Sequence, residues 1–342
     1  MSVSSNPRCA LAEKAVNRKY FSAVAGDGNM SEKPNLVVVL GPTAAGKTRL
    51  AAHLAREWGG EIISADSRQV YRGMDIGTGK DRRDYVAEGA AVPVHLLDVA
   101  DPREEFHLFA YQGLFYRAFS EISARGALPI LVGGSGMYLE AAIRGYEMAA
   151  ASENLELRRE LAALDMGELA KRLLSMQPEL HNRTDLVDRH RLVRAIEIAT
   201  AARGGEGRPG VERPVLRPLV IGVRWERDVL RRRITARLHE RIAAGMVEEV
   251  AALHQGGVGW ERLDRFGLEY RYVGLYLQGR LDYDEMVRTL NTRIHQFAKR
   301  QDTWFRRMER RGVTIHWIPG GDYAGLRSLV NREMGPGKQE GR

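Results

Sequence analysis

Eight consecutive residues carry glycine, lysine and hydroxyl groups at the spacing that grips phosphate: Gly41, Pro42, Thr43, Ala44, Ala45, Gly46, Lys47 and Thr48. The glycines let backbone N–H groups turn onto phosphate oxygens, Lys47 adds a point charge, and the Thr48 hydroxyl is a ligand for Mg²⁺. The apolar run Leu36–Leu40 precedes them and a helical pattern, Lys47–Trp58, follows. A buried strand feeding a helix is the context this loop requires. Phosphate binding follows; the identity of the phosphate does not. A nucleoside triphosphatase adds an apolar strand ending in an acidic residue that holds the metal. Only residues 94–98 (VHLLD) approximate one, and Asp98 serves equally well as a turn residue.

A second candidate lies one strand away. Residues 61–64 read as a strand leading into Asp66, Ser67, Arg68 and Gln69. In an α/β sheet the carboxyl ends of strands line the ligand crevice, so Asp66 is placed beside whatever the loop holds. A carboxylate there can take a proton from an attacking amine or hydroxyl, or simply cap the next turn. Further on, Arg233, Arg237 and Arg241 recur every four residues beside the apolar stripe Leu230, Ile234, Leu238 and Ile242. This is either a solvated face or a clamp on a leaving diphosphate. The pattern over 282–311 is the longest, opening on the capping pair Asp282 and Glu285. It puts Val287, Leu290, Ile294, Phe297, Gln301, Trp304, Phe305 and Met308 on one side. Arg288, Lys299, Arg300, Arg306, Arg307 and Arg310 fall on the other, which suits a solvated surface or a nucleic-acid backbone.

The elements that must position these groups alternate. Strand-like runs at 36–40, 61–64, 94–99, 128–132 and 219–223 interleave with helical patterns at 47–58 and 110–124. This predicts an α/β fold, a P-loop-like parallel sheet flanked by helices. Strands stop from about residue 144 to 203, where 155–164, 167–175 and 186–202 read as helices. The glycine-rich 204–210 is a linker. We therefore expect a disordered tail over 1–33, a first part of the core over 34–143 and a helical insertion over 144–210. The core continues over 211–320, mostly helical with a short strand near Ile315, and 321–342 is a second tail. Met30 lies just ahead of the first strand and is a candidate start residue.

The bulk of the sequence sets bounds. Its 342 residues are 44% hydrophobic and 28% charged, a globular composition with room for two units. No apolar run is long enough for a membrane helix, and the only cysteine, Cys9, excludes an intramolecular disulfide and a cysteine-based zinc site. A cytoplasmic location is expected. The net charge of +8, with arginines outnumbering lysines, suits a polyanionic partner as well as simple solubility.

Taken in order, LGPTAAGKT, SADSRQVYRGMDIGTGK, LVGGSGMYLEA, RHRLVRAIEI, RRRITARL and TRIHQFAKRQDTWFR closely resemble the tRNA dimethylallyltransferase (tRNA isopentenyltransferase) family, from about Leu36 to Trp317. The block ADSRQVYRGMDIGT is the most specific of them. The resemblance implies transfer of a dimethylallyl group from its diphosphate to N6 of the adenine just 3′ of a tRNA anticodon. The P-loop then holds that diphosphate, with Mg²⁺ as cofactor, and the enzyme works as a monomer on the anticodon stem-loop. It also implies roles. Asp66 matches the general base, Thr43 a loop position near the reacting centre, and Arg237 a stabiliser of the departing diphosphate. Asp66, Ser67, Arg68, Gln69, Ser135 and Arg158 match positions that contact tRNA, as do His190, Arg191, Leu192, Val193 and Arg194. Arg265 and Arg271 lie in DRFGLEYRYVG (264–274), which matches the family's Gly-Tyr-Arg segment imperfectly: Glu269 replaces the glycine. Ala45 stands where members commonly have serine. Competing readings are a P-loop small-molecule kinase, an enzyme that prenylates free adenine nucleotides, and a non-enzymatic RNA-binding protein.

Overall fold

The computed structural model describes residues 33–146, 154–177, 186, 188–203 and 212–337. Residues 1–32 with Met30, and the linker at 204–210, lie outside the described residues.

The first strand, β1 (Leu36–Leu40), is wholly buried because the sheet covers it on both edges and helices cover it on both faces. With β2 (Gly60–Ser64), β5 (Val94–His95), β6 (Leu128–Gly133), β7 (Pro218–Arg224) and β8 (Ile315–Pro319) it forms a parallel sheet of order β5-β2-β6-β1-β7-β8. The register sets Val38 opposite Leu131 on one side and Val220 on the other. Alternate residues of β1 enter different cores, as the period of a strand dictates. Leu36, Val38 and Leu40 pack with helices α2 (Leu108–Ala124), α3 (Gly136–Arg144) and the C-terminal helices. Val37 and Val39 pack with α1 (Lys47–Trp58). A small antiparallel pair, β3 (Val86–Ala87) and β4 (Ala90–Ala91), follows a 3-10 turn at Arg82–Tyr85.

Strand β5 is shorter than the run at 94–99 suggests. Leu96 and Asp98 adopt left-handed backbone conformations, φ 64° and 56°, which extended strand cannot accommodate. Helices α4 (Leu155–Ala162), α5 (Met166–Met176) and α6 (Arg189–Arg203) enclose a core of their own from Leu157, Leu161, Leu169, Leu173, Leu192 and Ile196. After β7 come α7 (Arg227–Ala243), α8 (Met246–Gln255), α9 (Trp260–Arg265), α10 (Leu268–Leu277) and the long α11 (Tyr283–Arg310). Asp282 caps α11 by accepting the Glu285 N–H at 2.7 Å. Its buried residues are Met286, Leu290, Ile294, Ala298, Gln301, Phe305 and Met308; Phe297, expected among them, is exposed.

The tail expected over 321–342 needs correction. Residues Tyr323–Met334 form helix α12, which buries Leu326, Leu329 and Val330 against the α1 side of the sheet. Glu57 in α1 anchors it, accepting from Tyr323 Oη at 2.6 Å and pairing with Arg327 at 2.6 Å.

Candidate active site

At the carboxyl end of β1 the loop turns sharply. A side chain at Gly41 would run into the Val223 carbonyl, 2.7 Å from the Cβ position, and Gly46 starts α1 at φ 83°. Ala44 holds φ 61° without being glycine and is fixed by what surrounds it. Arg233 Nε donates to the Ala44 carbonyl at 2.9 Å, and Trp225 Nε1 to that of Ala45 at 3.0 Å. Lys47 Nζ lies in the mouth of the loop, donating to Pro42 O at 2.8 Å. Burial brings its ammonium down to about 8; Arg237 adds to the fall and Asp66 opposes it. Those two causes place Lys47, Arg237 and Asp66 in one electrostatic neighbourhood.

Asp66 follows β2 on the next edge of the same crevice. Its Oδ1 accepts the N–H groups of Arg68 at 2.9 Å and Gln69 at 3.4 Å, so it does cap the turn. The turn in consequence orients the carboxylate. Beside it, Ser135 Oγ accepts the Ser67 N–H at 3.1 Å, joining the ends of β2 and β6. The glycines of LVGGSG are required by proximity: a Cβ at Gly133 would meet the Ala65 carbonyl at 2.2 Å, and one at Gly136 the Trp304 ring at 2.3 Å. Gln69 spans from Tyr85 Oη, which donates to its Oε1 at 3.3 Å, to the Gly79 carbonyl at 3.3 Å.

The arginine stripe of α7 faces inward. Arg237 Nη2 donates to Gly79 O at 3.2 Å, and Arg241 Nη1 to Gly77 O at 3.4 Å. With Arg233 on the P-loop, the three arginines fasten α7 across the loops that follow β1 and β2. Glu249 secures the same turn from α8, accepting the N–H groups of Asp75, Ile76 and Gly77 at 2.8, 2.6 and 2.9 Å and the Tyr270 hydroxyl at 2.8 Å. Asp98 is not part of the phosphate loop's surroundings in this sense. Its oxygens pair with the buried Lys80 at 2.5 Å and with Arg82 at 2.8 Å, leaving it a structural counter-ion.

The remaining sequence candidates fall in two places. Asp66, Ser67, Arg68, Gln69 and Ser135 gather at the crevice. Arg158 and Arg194 lie in the helical insertion, both on the carboxylate of Glu197, at 2.7 and 2.9 Å. Burial raises the Glu197 pKa, but the hydrogen bonds from Arg158 and Arg194 outweigh it and the net shift is downward. Arg191 is exposed and Val193 half-buried. Leu192, matched to a tRNA-contacting position, has its side chain fully buried in the insertion's core, where it packs. His190 Nε2 lies 3.2 Å from Arg265 and 3.5 Å from Glu105, which joins α6 to α9 and the loop before α2. Arg271 pairs with Asp264 through two contacts of 2.5 and 2.8 Å.

Comparison with known proteins decides the family. The IPP transferase family matches residues 69–308, and the Isopentenyl transferase family residues 34–90. The chain belongs to the IPP transferase family. A tRNA dimethylallyltransferase 1 of Syntrophus aciditrophicus is 57% identical over 300 residues, 88% of this chain and 98% of its own length. A tRNA dimethylallyltransferase 2 of Trichlorobacter lovleyi is 58% identical over 303 residues, again 88% and 98%. Among solved structures, the tRNA isopentenylpyrophosphate transferase of Bacillus halodurans superposes with a TM-score of 0.61 at 31% identity, covering 88% of this chain and 98% of that one. A eukaryotic dimethylallyltransferase acting on tRNA shares the fold at 22% identity, with a TM-score of 0.70 over 89% and 81% of the two chains.

Within this IPP transferase framework, sequence reading gave no role to two residues that touch the loop directly, Trp225 and Gln301. Gln301 of α11 accepts the Thr43 N–H at 2.8 Å and donates to the Gly134 carbonyl at 2.9 Å. A polar residue in the buried stripe of a helix was the available signal. Glu140 is similar: fully buried on α3, it faces Arg144, Arg307 and Arg311 at 3.2–3.4 Å.

Proposed function

We infer that the chain transfers a dimethylallyl group from dimethylallyl diphosphate to N6 of the adenine immediately 3′ of a tRNA anticodon, releasing diphosphate. The observation that carries this reading is the convergence of Lys47, Arg237 and Asp66 at the carboxyl edge of the sheet, two cations and one oriented carboxylate. The relatives that share nearly the whole chain bear tRNA dimethylallyltransferase names, which supports it. The engagement of Asp98 with Lys80 and Arg82 counts against a kinase or ATPase reading.

In this proposal the P-loop from Gly41 to Thr48 cradles the diphosphate. The N6 amine attacks the allylic carbon, the carbon–oxygen bond breaks, and its electron pair goes to the diphosphate. Lys47 and Arg237 stabilise the charge that develops there. Asp66, with Oδ1 held by two backbone N–H groups, takes the amine proton on Oδ2. Thr43, in the loop's mouth, lies against the reacting end of the substrate. Arg68, Gln69, Ser67 and Ser135 contact the nucleotide at the crevice. Arg158, His190, Arg191 and Arg194 of the insertion, with Arg265 and Arg271, line the approach of the RNA. The base leaves its stack in the anticodon loop to enter the crevice.

Thr48 is the loop's donor for Mg²⁺. Among the described residues no group of three or more histidine, cysteine or carboxylate side chains is arranged to hold a metal. That fits Mg²⁺, which is usually bound by one or two protein ligands, substrate phosphates and water. When bound, it neutralises charge on the diphosphate. One chain carries every group invoked, so a monomer suffices. We place it in the cytoplasm with its tRNA substrate; among the described residues no helix is long and apolar enough to cross a membrane.

The test is transfer of label from dimethylallyl diphosphate to unmodified tRNA with Mg²⁺. Asp66→Asn is expected to lower kcat about 10²- to 10⁴-fold while tRNA still binds. A variant with near-normal turnover refutes the base assignment, and absence of label in RNA with the unaltered chain refutes the reaction.

A further inference from the structure

We propose that Glu269 is a positioning residue that sets the charge of the diphosphate pocket, neutralising Arg241 and holding it on the Gly77–Gly79 turn. The proposal rests on the reading of the P-loop crevice as a diphosphate site.

Arg237 and Arg241 lie side by side over one glycine. A Cβ at Gly79 would come 1.6 Å from Arg241 Nη2 and 2.7 Å from Arg237 Nη2, so no other residue fits beneath them. Two guanidinium groups this close repel: burial lowers the Arg241 pKa most, Arg237 adds to the fall as it does for Lys47, and Glu269 opposes it. Glu269, in the first turn of α10, supplies the opposing charge, with Oε1 3.3 Å from Arg241 Nη1. Both side chains are largely withdrawn from water, at 13% and 20% exposure, so the pair is weakly screened. Glu249 does not take this part, because four donors already occupy its two oxygens.

The consequence concerns product as much as substrate. Lys47, Arg237 and Arg241 without a counter-charge on the last of them would hold released diphosphate tightly. With Arg241 committed to Glu269 and the Gly77 carbonyl, Lys47 and Arg237 remain to act on the leaving group. The Gly77–Gly79 turn beneath Arg237 and Arg241 stays fixed.

The experiment compares Glu269→Gln, Arg241→Gln and the double variant by calorimetric titration with inorganic diphosphate and Mg²⁺, and by diphosphate inhibition of label transfer to tRNA. Glu269→Gln is expected to bind diphosphate about tenfold tighter and to turn over more slowly, because product leaves more slowly. Arg241→Gln, with a bare carboxylate facing the pocket, is expected to bind about tenfold more weakly. The double variant is expected to return to within about threefold of the unaltered chain, as coupled neighbours do. A purely structural role would weaken binding in all three. Glu269→Gly serves if the glutamine variant does not fold, with the same tighter binding expected. Diphosphate binding by Glu269→Gln no tighter than that of the unaltered chain overturns the proposal. If the unaltered chain itself does not bind diphosphate, the underlying reading of the pocket fails first and the proposal with it.

Discussion

Replacing Gln301 tests whether the P-loop depends on a helix 258 residues away in sequence. The amide orientation is dictated by its partners: a backbone N–H at Thr43 needs the oxygen, and a carbonyl at Gly134 needs the nitrogen. Gln301→Glu keeps the shape and the first bond but cannot donate, so a carboxylate oxygen is set against the Gly134 carbonyl. Gln301→Ala removes both bonds from a buried site. Each buried backbone group left without a partner costs about 1–3 kcal/mol, so alanine is expected to lower stability by about 2–4 kcal/mol, allowing for some entry of water. The glutamate adds a negative charge beside the diphosphate, so its effect on substrate binding is expected to exceed alanine's. A loop displaced by even 1 Å can lose ~10²-fold in rate, so kcat/KM is expected to fall at least tenfold in both variants. Urea denaturation gives the first quantity and the tRNA label-transfer assay the second. Both variants retaining stability and kcat/KM would refute the claim that this amide holds the loop.

Other outcomes follow from neighbouring charges. The Lys47 ammonium, lowered by burial to about 8, must be charged to attract diphosphate, so affinity of the ligand-free protein for diphosphate is expected to weaken as pH rises through about 8. Titration calorimetry checks this, and Lys47→Arg, which stays protonated, should lack that limb. The same lowered pKa means that between about 8 and 10.5 the unfolded chain holds a proton the native chain has shed. This group's contribution to stability is therefore full above 10.5 and is lost as pH falls through 8, which denaturation midpoints across that window should show for the unaltered chain and not for Lys47→Met. Glu140→Ala strips the counter-ion from Arg144, Arg307 and Arg311. Since the latter two are about two-fifths exposed, we expect the lower end of the range for broken buried pairs, about 3 kcal/mol, read by urea denaturation.

The phosphate loop, its strand and helix, and the carboxylate that follows β2 were legible in the sequence because each is a local pattern: an apolar run, a glycine spacing, a position after a strand. What escaped was pairing between distant segments. Arg158 matches a position that contacts tRNA, yet Glu197, 39 residues away, pairs with it as it does with nearby Arg194. Leu192 sits inside a motif that reads as a binding stretch, while its helical phase buries it. The arginine stripe of α7 could not be assigned to solvent or to a site until the loops carrying Ala44, Gly77 and Gly79 were seen beneath it. Helix α12 was missed because Leu326, Leu329 and Val330 make a short stripe whose partner is α1, at the other end of the chain.

The Thr43–Gln301–Gly134 bridge also bears on how the protein is made. Synthesis delivers the P-loop first and β6 later, but the amide that joins them arrives only with the end of α11. Strand β1 likewise waits for β7 to cover its second edge. A nascent chain therefore carries a complete phosphate-binding motif long before it has a phosphate-binding site. Diphosphate in the cell meets a finished pocket only once α11 has emerged.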